Sequence, residues 1–201
     1  MDQIIGQSFG FAGGIIGIAT GLPQMLRIRA RGGNTDGLAL SPWILMLATF
    51  ASYTAYGLAA NSPSIWVCNI LTFFTTALVV TAVLGNSAKV WAAIIVGGLV
   101  TGVIMTVLPS LIIQVILAAL TANRLPQLVR TWLNRKTAMV SAVSIPSLAV
   151  ALTSGLCWVG YAVFMQDNYI VFTSLLATSI TLSTALLEAH IARLAKQAHL
   201  A

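Results

Sequence analysis

Charged side chains are scarce in this sequence. Asp, Glu, Lys and Arg together make up 7% of the 201 residues, whereas 58% are hydrophobic. A soluble domain carries roughly 25% charged residues, so this chain cannot cover itself with a water-facing surface. Because helices satisfy their own backbone hydrogen bonds in lipid, the composition predicts an all-α integral membrane protein.

Cysteines and groups of potential catalytic residues are also scarce. Cys68 and Cys157 are the two cysteines, and both lie in apolar runs, which favours packing over a disulfide framework or a metal site. We find no nucleophile–base pair, phosphate-binding glycine loop or metal-ligand cluster. The sequence therefore predicts no enzyme, no catalytic residue, no metal and no cofactor.

Apolar runs separated by turn residues predict seven transmembrane helices. The stretch from Val90 to Leu120 carries no charge, but one helix of that length would be about 46 Å long, against a core of about 30 Å. Pro109-Ser110 is therefore interpreted as a turn. The predicted spans cover about 4–22, 40–60, 65–84, 90–107, 111–129, 143–165 and 169–189.

The basic residues all fall on one side of the predicted spans. The positive-inside rule therefore places the N-terminus outside and the C-terminus in the cytoplasm. It also explains the net charge of +6 without nucleic acid as a partner. Short loops favour a bacterial plasma membrane. The ten basic residues are Arg27, Arg29, Arg31, Lys89, Arg124, Arg130, Arg135, Lys136, Arg193 and Lys196.

A Pro-Gln pair occurs twice. Each time an arginine follows the proline by four positions, in the pattern Pro-Gln-x-x-Arg. Pro23-Gln24 and Pro126-Gln127 are separated by 103 positions, about half the chain. Both precede basic loops on the same side, so the two units run parallel and need one extra crossing between them. This predicts two parallel three-helix bundles joined by an inverting linker helix (3+1+3). The predicted divisions are 1–86 and 110–190 for the bundles, 87–109 for the linker, and 191–201 for a cytoplasmic tail.

With these pairs, further motifs resemble the PQ-loop/MtN3 superfamily, and especially its SWEET-like members. The motifs are Tyr53-x-x-Tyr56-Gly57 and Trp158-x-x-Tyr161. Asn69 follows Tyr53 by 16 residues, and Ser174 follows Trp158 by 16. The resemblance covers essentially the whole chain and implies a seven-helix transporter.

In SWEET-like proteins a Trp and an Asn from each three-helix unit frame the central pocket. The resemblance places Tyr53 and Trp158 at the Trp positions, and Asn69 and Ser174 at the Asn positions. Aromatic faces cover sugar C–H groups, and an amide or hydroxyl bonds to sugar hydroxyls. The rival interpretations are an interfacial aromatic belt for the two rings and interhelical packing for Asn69.

Proline inside a membrane helix frees a backbone carbonyl and weakens the helix there. Alone, such a proline favours a static kink, which is common in membrane helices, over a hinge. Its duplication favours the hinge, and the resemblance implies that Pro23 and Pro126, with Gln24 and Gln127, act as hinges for alternating access.

Ionisable groups inside membrane spans usually mark proton or ion pathways. The sequence places none in the middle of a span, which favours passive uniport of a small neutral solute, with a sugar as the best candidate. One alternative is a carrier of an amino acid or other metabolite, with or without proton coupling. Another is a membrane receptor that binds without moving its ligand. Membrane lipid is an expected partner, and a homo-oligomer is compatible with the sequence.

Overall fold

The computed structural model describes residues 1–30, 40–135 and 145–198; the side chains at 20–30, 134, 145 and 195–198 lie outside this description. Every regular element within these ranges is helical. In chain order the elements are α1 (Asp2–Ala30), α2 (Ser41–Ala59), α3 (Pro63–Leu84), α4 (Ala88–Val107), α5 (Ser110–Thr121), a 3₁₀ turn (Ala122–Arg124), α6 (Leu125–Asn134), α7 (Ile145–Met165) and α8 (Asn168–Ala198).

Proline and capping side chains set several helix starts. α2, α3 and α6 each have a proline at the first or second helical position, where the missing N–H costs no intrahelical bond. Asp167 caps α8 by accepting a 3.1 Å hydrogen bond from the Ile170 N–H. α4 ends at Val107 and α5 begins at Ser110, so the predicted turn at Pro109-Ser110 is confirmed.

Within the described ranges, five helical segments are long and apolar enough to cross a membrane. Large apolar side chains such as Leu99, Val107 and Leu186 are 63–75% exposed, as expected for a surface that faces lipid. The chain is a multi-pass membrane protein. Five of the seven predicted spans are supported. That α1 and α2 also cross the membrane remains a prediction. The five are Pro63–Leu84, Ala88–Val107, Ser110–Leu133, Pro146–Met165 and Asn168–Leu194.

Six Lys, Arg, Glu or His residues lie inside these candidate spans: Lys89, Arg124, Arg130, Glu188, His190 and Arg193. Arg124 lies close to the middle of its span, which corrects the expectation that no such residue does. Arg124 belongs to Ser110–Leu133, and Glu188 belongs to Asn168–Leu194. Both residues already fall within the predicted spans 111–129 and 169–189, where the sequence places them at the cytoplasmic ends of the apolar runs. The helices continue beyond those runs, and α8 extends to Ala198, through most of the segment predicted as a tail.

The helices pack in the same order on the two sides of the molecule. α3 lies between α1 and α2, and α8 lies between α7 and the α5–α6 segment. The most extensive contact joins α1 to α7, and α4 packs mainly against α2. One core cluster, formed by Ile65, Tyr161, Ala162 and Ile170, ties α3, α7 and α8 together.

α1 approaches α3 and α7 closely. A Cβ at Gly14 would overlap the Cys68 side chain of α3, and a Cβ at Gly13 would lie 3.2 Å from Trp158 Cδ1. The Ser154 hydroxyl of α7 donates a 2.8 Å hydrogen bond to the Gly13 carbonyl. Small residues thus allow the backbones to meet, as is usual where packing rather than water exclusion holds membrane helices together.

The turns after α2 and after α7 have the same geometry. Asn61 and Gln166 are the two non-glycine residues with positive φ in the described ranges, at 49° and 52°. After each, a backbone N–H bonds back across the turn at 2.9 Å, from Ser62 to the Gly57 carbonyl and from Asp167 to the Ala162 carbonyl. This is the Schellman pattern of helix ends. Corresponding atoms lie 105 positions apart, and we call this end of the helices the matched-turn end.

Candidate functional site

Tyr53 lies on α2 and faces both α5 and α8. Its hydroxyl lies 3.0 Å from Thr121 Oγ1, at the end of α5. Thr173 of α8 is close enough to the same hydroxyl to interact with it. The Tyr53 ring also packs against the core cluster around Ile65 and Tyr161. Tyr53 therefore bridges three helices.

Trp158 lies on α7 and packs against the same core cluster as Tyr53. Its ring meets the Tyr161 ring edge-on, with centroids 5.6 Å apart. On its other side it lies against Gly13 and Gly14 of α1, whose lack of a side chain leaves room for the indole. The structure therefore brings the two aromatic residues predicted for the site to one cluster.

Asn69 and Ser174 lie on α3 and α8, and neither hydrogen-bonds to the two aromatic residues. Asn69 is half-buried, and its Nδ2 donates to the Ile65 carbonyl in its own helix at 2.8 Å. Ser174 is 8% exposed and makes no hydrogen bond within the described part of the chain. The Asn69 amide oxygen and the Ser174 hydroxyl thus keep hydrogen-bonding capacity for another molecule.

The four predicted site residues lie at one depth. Tyr53 is six residues before the end of α2, and Trp158 is seven before the end of α7. Asn69 and Ser174 are each six residues after the first residue of α3 and α8. At 1.5 Å per residue, all four lie about 9–10 Å below the matched-turn end. Two aromatic rings, an amide and a hydroxyl therefore form one layer.

Two tyrosines bond reciprocally across the matched-turn end. The Tyr56 hydroxyl of α2 donates to Asp167 Oδ1, in the turn after α7, at 2.7 Å. The Tyr161 hydroxyl of α7 donates to Ser62 Oγ, in the turn after α2, at 2.8 Å. Donors and acceptors are related by the same offset of 105 positions. These bonds lie between the layer and the helix ends, and they hold this end together.

Gln7 adds α1 to this network. Its Nε2 donates to Ser62 Oγ at 3.2 Å, and its Oε1 accepts from the Ser64 N–H at 2.9 Å. Sequence reasoning quoted Tyr56 and Tyr161 as motif residues but assigned them no contact. The sequence signal for these contacts is the constant offset of 105 positions between Tyr56 and Tyr161, which also relates Ser62 to Asp167.

The predicted hinge residues differ in their local structure. Pro126 lies in the first turn of α6, directly after the 3₁₀ turn Ala122–Arg124 that interrupts the α5–α6 segment. Gln127 Nε2 donates to Thr131 Oγ1 at 3.4 Å, and Thr131 in turn donates to the buried carboxylate of Glu188 at 2.8 Å. The backbone of α1 is helical across Pro23-Gln24, whose side chains lie outside the described residues.

Other parts of the described chain offer no competing site. No group of three metal-ligating side chains occurs among the described residues. A groove of about 560 Å³ between α6 and α8 is lined almost entirely by apolar side chains, among them Val129, Trp132 and Leu186. These three are 51–63% exposed, so the groove faces outward to lipid and away from the layer.

The fold is similar to that of a eukaryotic SWEET transporter solved at 3.7 Å resolution. The TM-score is 0.77, and the alignment covers 96% of this chain and 99% of that chain at 14% sequence identity. This chain has a SWEET-like fold. No protein-family model and no curated protein sequence matches it. The predicted SWEET-like architecture is therefore confirmed at the level of the fold, and membership of the PQ-loop/MtN3 superfamily stays a prediction.

Proposed function

We propose that this protein transports a small polar solute across the membrane by alternating access. The observation that carries the proposal is the pair of reciprocal bonds, Tyr56 to Asp167 and Tyr161 to Ser62, which joins the helices at one end, above the layer of two aromatic rings, an amide and a hydroxyl. A site closed at one end by a few breakable hydrogen bonds fits a protein that opens to each side in turn. The SWEET-like fold supports the same function.

The architecture we propose is two parallel three-helix units joined by α4. The identical turns, the reciprocal bonds and the matching packing order all support it, because parallel repeats related by a two-fold axis along the membrane normal exchange equivalent contacts. The units would cover 1–86 and 110–190, with the linker at 87–109. The positive-inside rule then places the matched-turn end outside.

Movement in the second unit is proposed to centre on the break before Pro126. The 3₁₀ turn interrupts the regular helix there, and Pro126 cannot donate a backbone hydrogen bond to restore it. The Gln127–Thr131–Glu188 chain ties the start of α6 to α8, so that both move together. Pro23 and Gln24 are proposed as the equivalent hinge of the first unit.

The solute site we propose is the layer formed by Tyr53, Asn69, Trp158 and Ser174. None of these side chains is charged at neutral pH, and together they offer two aromatic faces, an amide and a hydroxyl. This chemistry suits a sugar, moved by uniport. Uptake of labelled D-glucose into proteoliposomes without a pH gradient tests the proposal.

Asn69→Ala and Trp158→Ala are expected to lower the initial rate of uptake at least tenfold. Trp132→Ala is the matched control, since Trp132 lies on the lipid-facing groove of α6 and is 51% exposed. Unchanged rates in both layer variants would rule out the layer as the solute site. Binding of D-glucose without uptake would favour a receptor.

A second candidate is a carrier of an amino acid or another charged metabolite. The observation that favours it is the presence of Arg124 and Glu188 inside candidate spans, where ionisable side chains commonly serve a transported charge. Uptake that rises with an imposed proton gradient would favour this candidate over uniport of a neutral sugar.

A further inference from the structure

Arg124 lies far from both ends of its candidate membrane span. It ends the 3₁₀ turn, 14 residues after Ser110, where α5 begins. Thr181, its partner on α8, is 13 residues after the start of that helix at Asn168. At 1.5 Å per residue both are about 20 Å from the matched-turn end, in a hydrocarbon core about 30 Å thick. A guanidinium at this depth needs a polar environment.

The surroundings of Arg124 show which way its side chain turns. Nη1 donates a 3.0 Å hydrogen bond to Thr181 Oγ1. The phenol of Tyr53 is near enough to interact electrostatically with the guanidinium, and the same phenol lies 3.0 Å from Thr121 Oγ1. Thr181 of α8 therefore holds the charge, with the Tyr53 phenol of α2 nearby, below the solute layer.

The ordinary alternative is an arginine that extends to the cytoplasmic headgroups. Such a side chain would point away from the layer, because the cytoplasmic surface lies on the opposite side from Tyr53. Arg124 instead donates to Thr181, which lies at the same depth on α8, while remaining exposed. Arg130, two turns closer to the cytoplasm, is exposed and bonds to no described residue, as the alternative expects.

Arg124 has no carboxylate partner among the described residues. Asp167 is engaged at the matched-turn end by Tyr56, and Glu188 accepts from Thr131, seven residues beyond Thr181 on α8. A guanidinium offers five N–H donors in a fork that fits a carboxylate with two parallel bonds. One donor bonds to a neutral hydroxyl, so the fork keeps capacity for an anion.

We infer that Arg124 is the anion-binding end of the transport site, and that the transported solute is a small hydroxylated carboxylate. This rests on the proposed transport function and changes the expected cargo from a neutral sugar to its acidic counterpart. Thr181 fixes the guanidinium from α8. The carboxylate pairs with Arg124, while the hydroxyl-bearing part of the solute lies against Tyr53 and Trp158. Ser174 lies seven residues before Thr181, about 10 Å along α8.

The test compares D-glucose with D-glucuronate, which share a ring and differ in having a hydroxymethyl or a carboxylate group at C6. Both are measured as labelled solutes in proteoliposomes that contain the full-length protein. The wild type is expected to take up glucuronate at least tenfold faster than glucose. Because uniport of an anion moves charge, an inside-negative potential set with potassium and valinomycin should slow glucuronate uptake and leave glucose uptake unchanged.

The variants separate the role of the charge from the fold. Arg124→Gln should lower glucuronate uptake at least tenfold more than it lowers glucose uptake, and Arg124→Lys should retain part of the glucuronate rate. Arg130→Gln is the matched control and should behave as wild type. If Arg124→Gln loses uptake of both solutes, Arg124→Lys is the deciding variant. A restored preference for glucuronate supports the anion site, and equal recovery of the glucose and glucuronate uptake rates overturns it.

Two results distinguish failure of this inference from failure of the proposed function. If the wild type takes up glucose but not glucuronate, and Arg124→Gln takes up glucose at the same rate, the anion site is overturned and the transport function stands. Uptake of neither solute by the wild type contradicts the transport function itself.

Discussion

The Tyr56 hydroxyl lies 2.7 Å from Asp167 Oδ1 and joins α2 to the turn between α7 and α8. The same carboxylate oxygen accepts the Ile170 N–H at the start of α8. The Tyr56 ring packs edge-on against Tyr169, with centroids 5.9 Å apart. One carboxylate thus serves as a helix cap and as the link between parts of the chain 111 positions apart.

Removing the Tyr56 hydroxyl should open the matched-turn end. A hydrogen bond to a charged group contributes about 1.5–3 kcal/mol, so Tyr56→Phe should shift the balance between closed and open forms at least tenfold. Spin labels at Ala60→Cys and Asn168→Cys, in a background with Cys68 and Cys157 replaced by Ala, report the distance. A second, longer distance is expected in Tyr56→Phe.

Tyr169→Phe is the matched control for this experiment. It removes a phenolic hydroxyl from the same end of the helices, but that hydroxyl makes no hydrogen bond among the described residues. The distance distribution should equal that of the unsubstituted protein. A Tyr56→Phe distribution that is also unchanged would show that the bond does not hold this end closed.

The reciprocal bond from Tyr161 should contribute less than that from Tyr56. Ser62 is a neutral acceptor and also bonds to Gln7, so Tyr161→Phe should cost about 0.5–1.5 kcal/mol. Gln7→Ala breaks two bonds and should lower the thermal midpoint in detergent more than Tyr161→Phe does. The opposite order of midpoints would contradict this network.

Close contact between α1 and α3 predicts a strong effect at Gly14. A Cβ there overlaps the Cys68 side chain, so Gly14→Ala should destabilise the protein by about 1–3 kcal/mol. Gly97 of α4 is the matched control, since a Cβ there meets nothing within 4 Å. Gly97→Ala should be neutral or stabilising, by up to about 1 kcal/mol. Thermal unfolding in detergent measures both, and equal midpoints would refute the close approach.

The buried pair between Thr131 and Glu188 predicts an effect on the joint between α6 and α8. Thr131→Val removes the donor and leaves a carboxylate that is only 4% exposed without that bond. The expected cost is about 1–3 kcal/mol, measured as a lower thermal midpoint. Thr106→Val is the control, since Thr106 is exposed and bonds only within α4. Equal midpoints for the two variants would contradict a role for the pair.

Much of the helical organisation was predictable because its signals are local. α5 begins at Ser110 as Pro109 indicates, and the five candidate spans follow the apolar runs. The common depth of Tyr53 and Trp158 follows from equal spacing to equivalent turns. Each of these features depends on residues within one helix or one turn.

The contacts that decide the site were not predictable in the same way. The Tyr56–Asp167 bond joins distant parts of the chain, and only the packing of the helices places its partners together. The sequence places Arg124 at the cytoplasmic end of an apolar run, and it does not fix the direction of the side chain. Its bond to Thr181 on α8 therefore had no sequence signal.

Counterflow in proteoliposomes tests the central claim, alternating access, most directly. Vesicles are preloaded with unlabelled D-glucuronate or D-glucose, diluted, and given a trace of the same labelled solute. The account predicts a transient accumulation of label above its equilibrium level, because a site that opens to one side at a time exchanges solute for solute. That overshoot should disappear in Trp158→Ala and persist in Trp132→Ala. If the label binds or equilibrates in the wild type without any overshoot, the result would contradict alternating access.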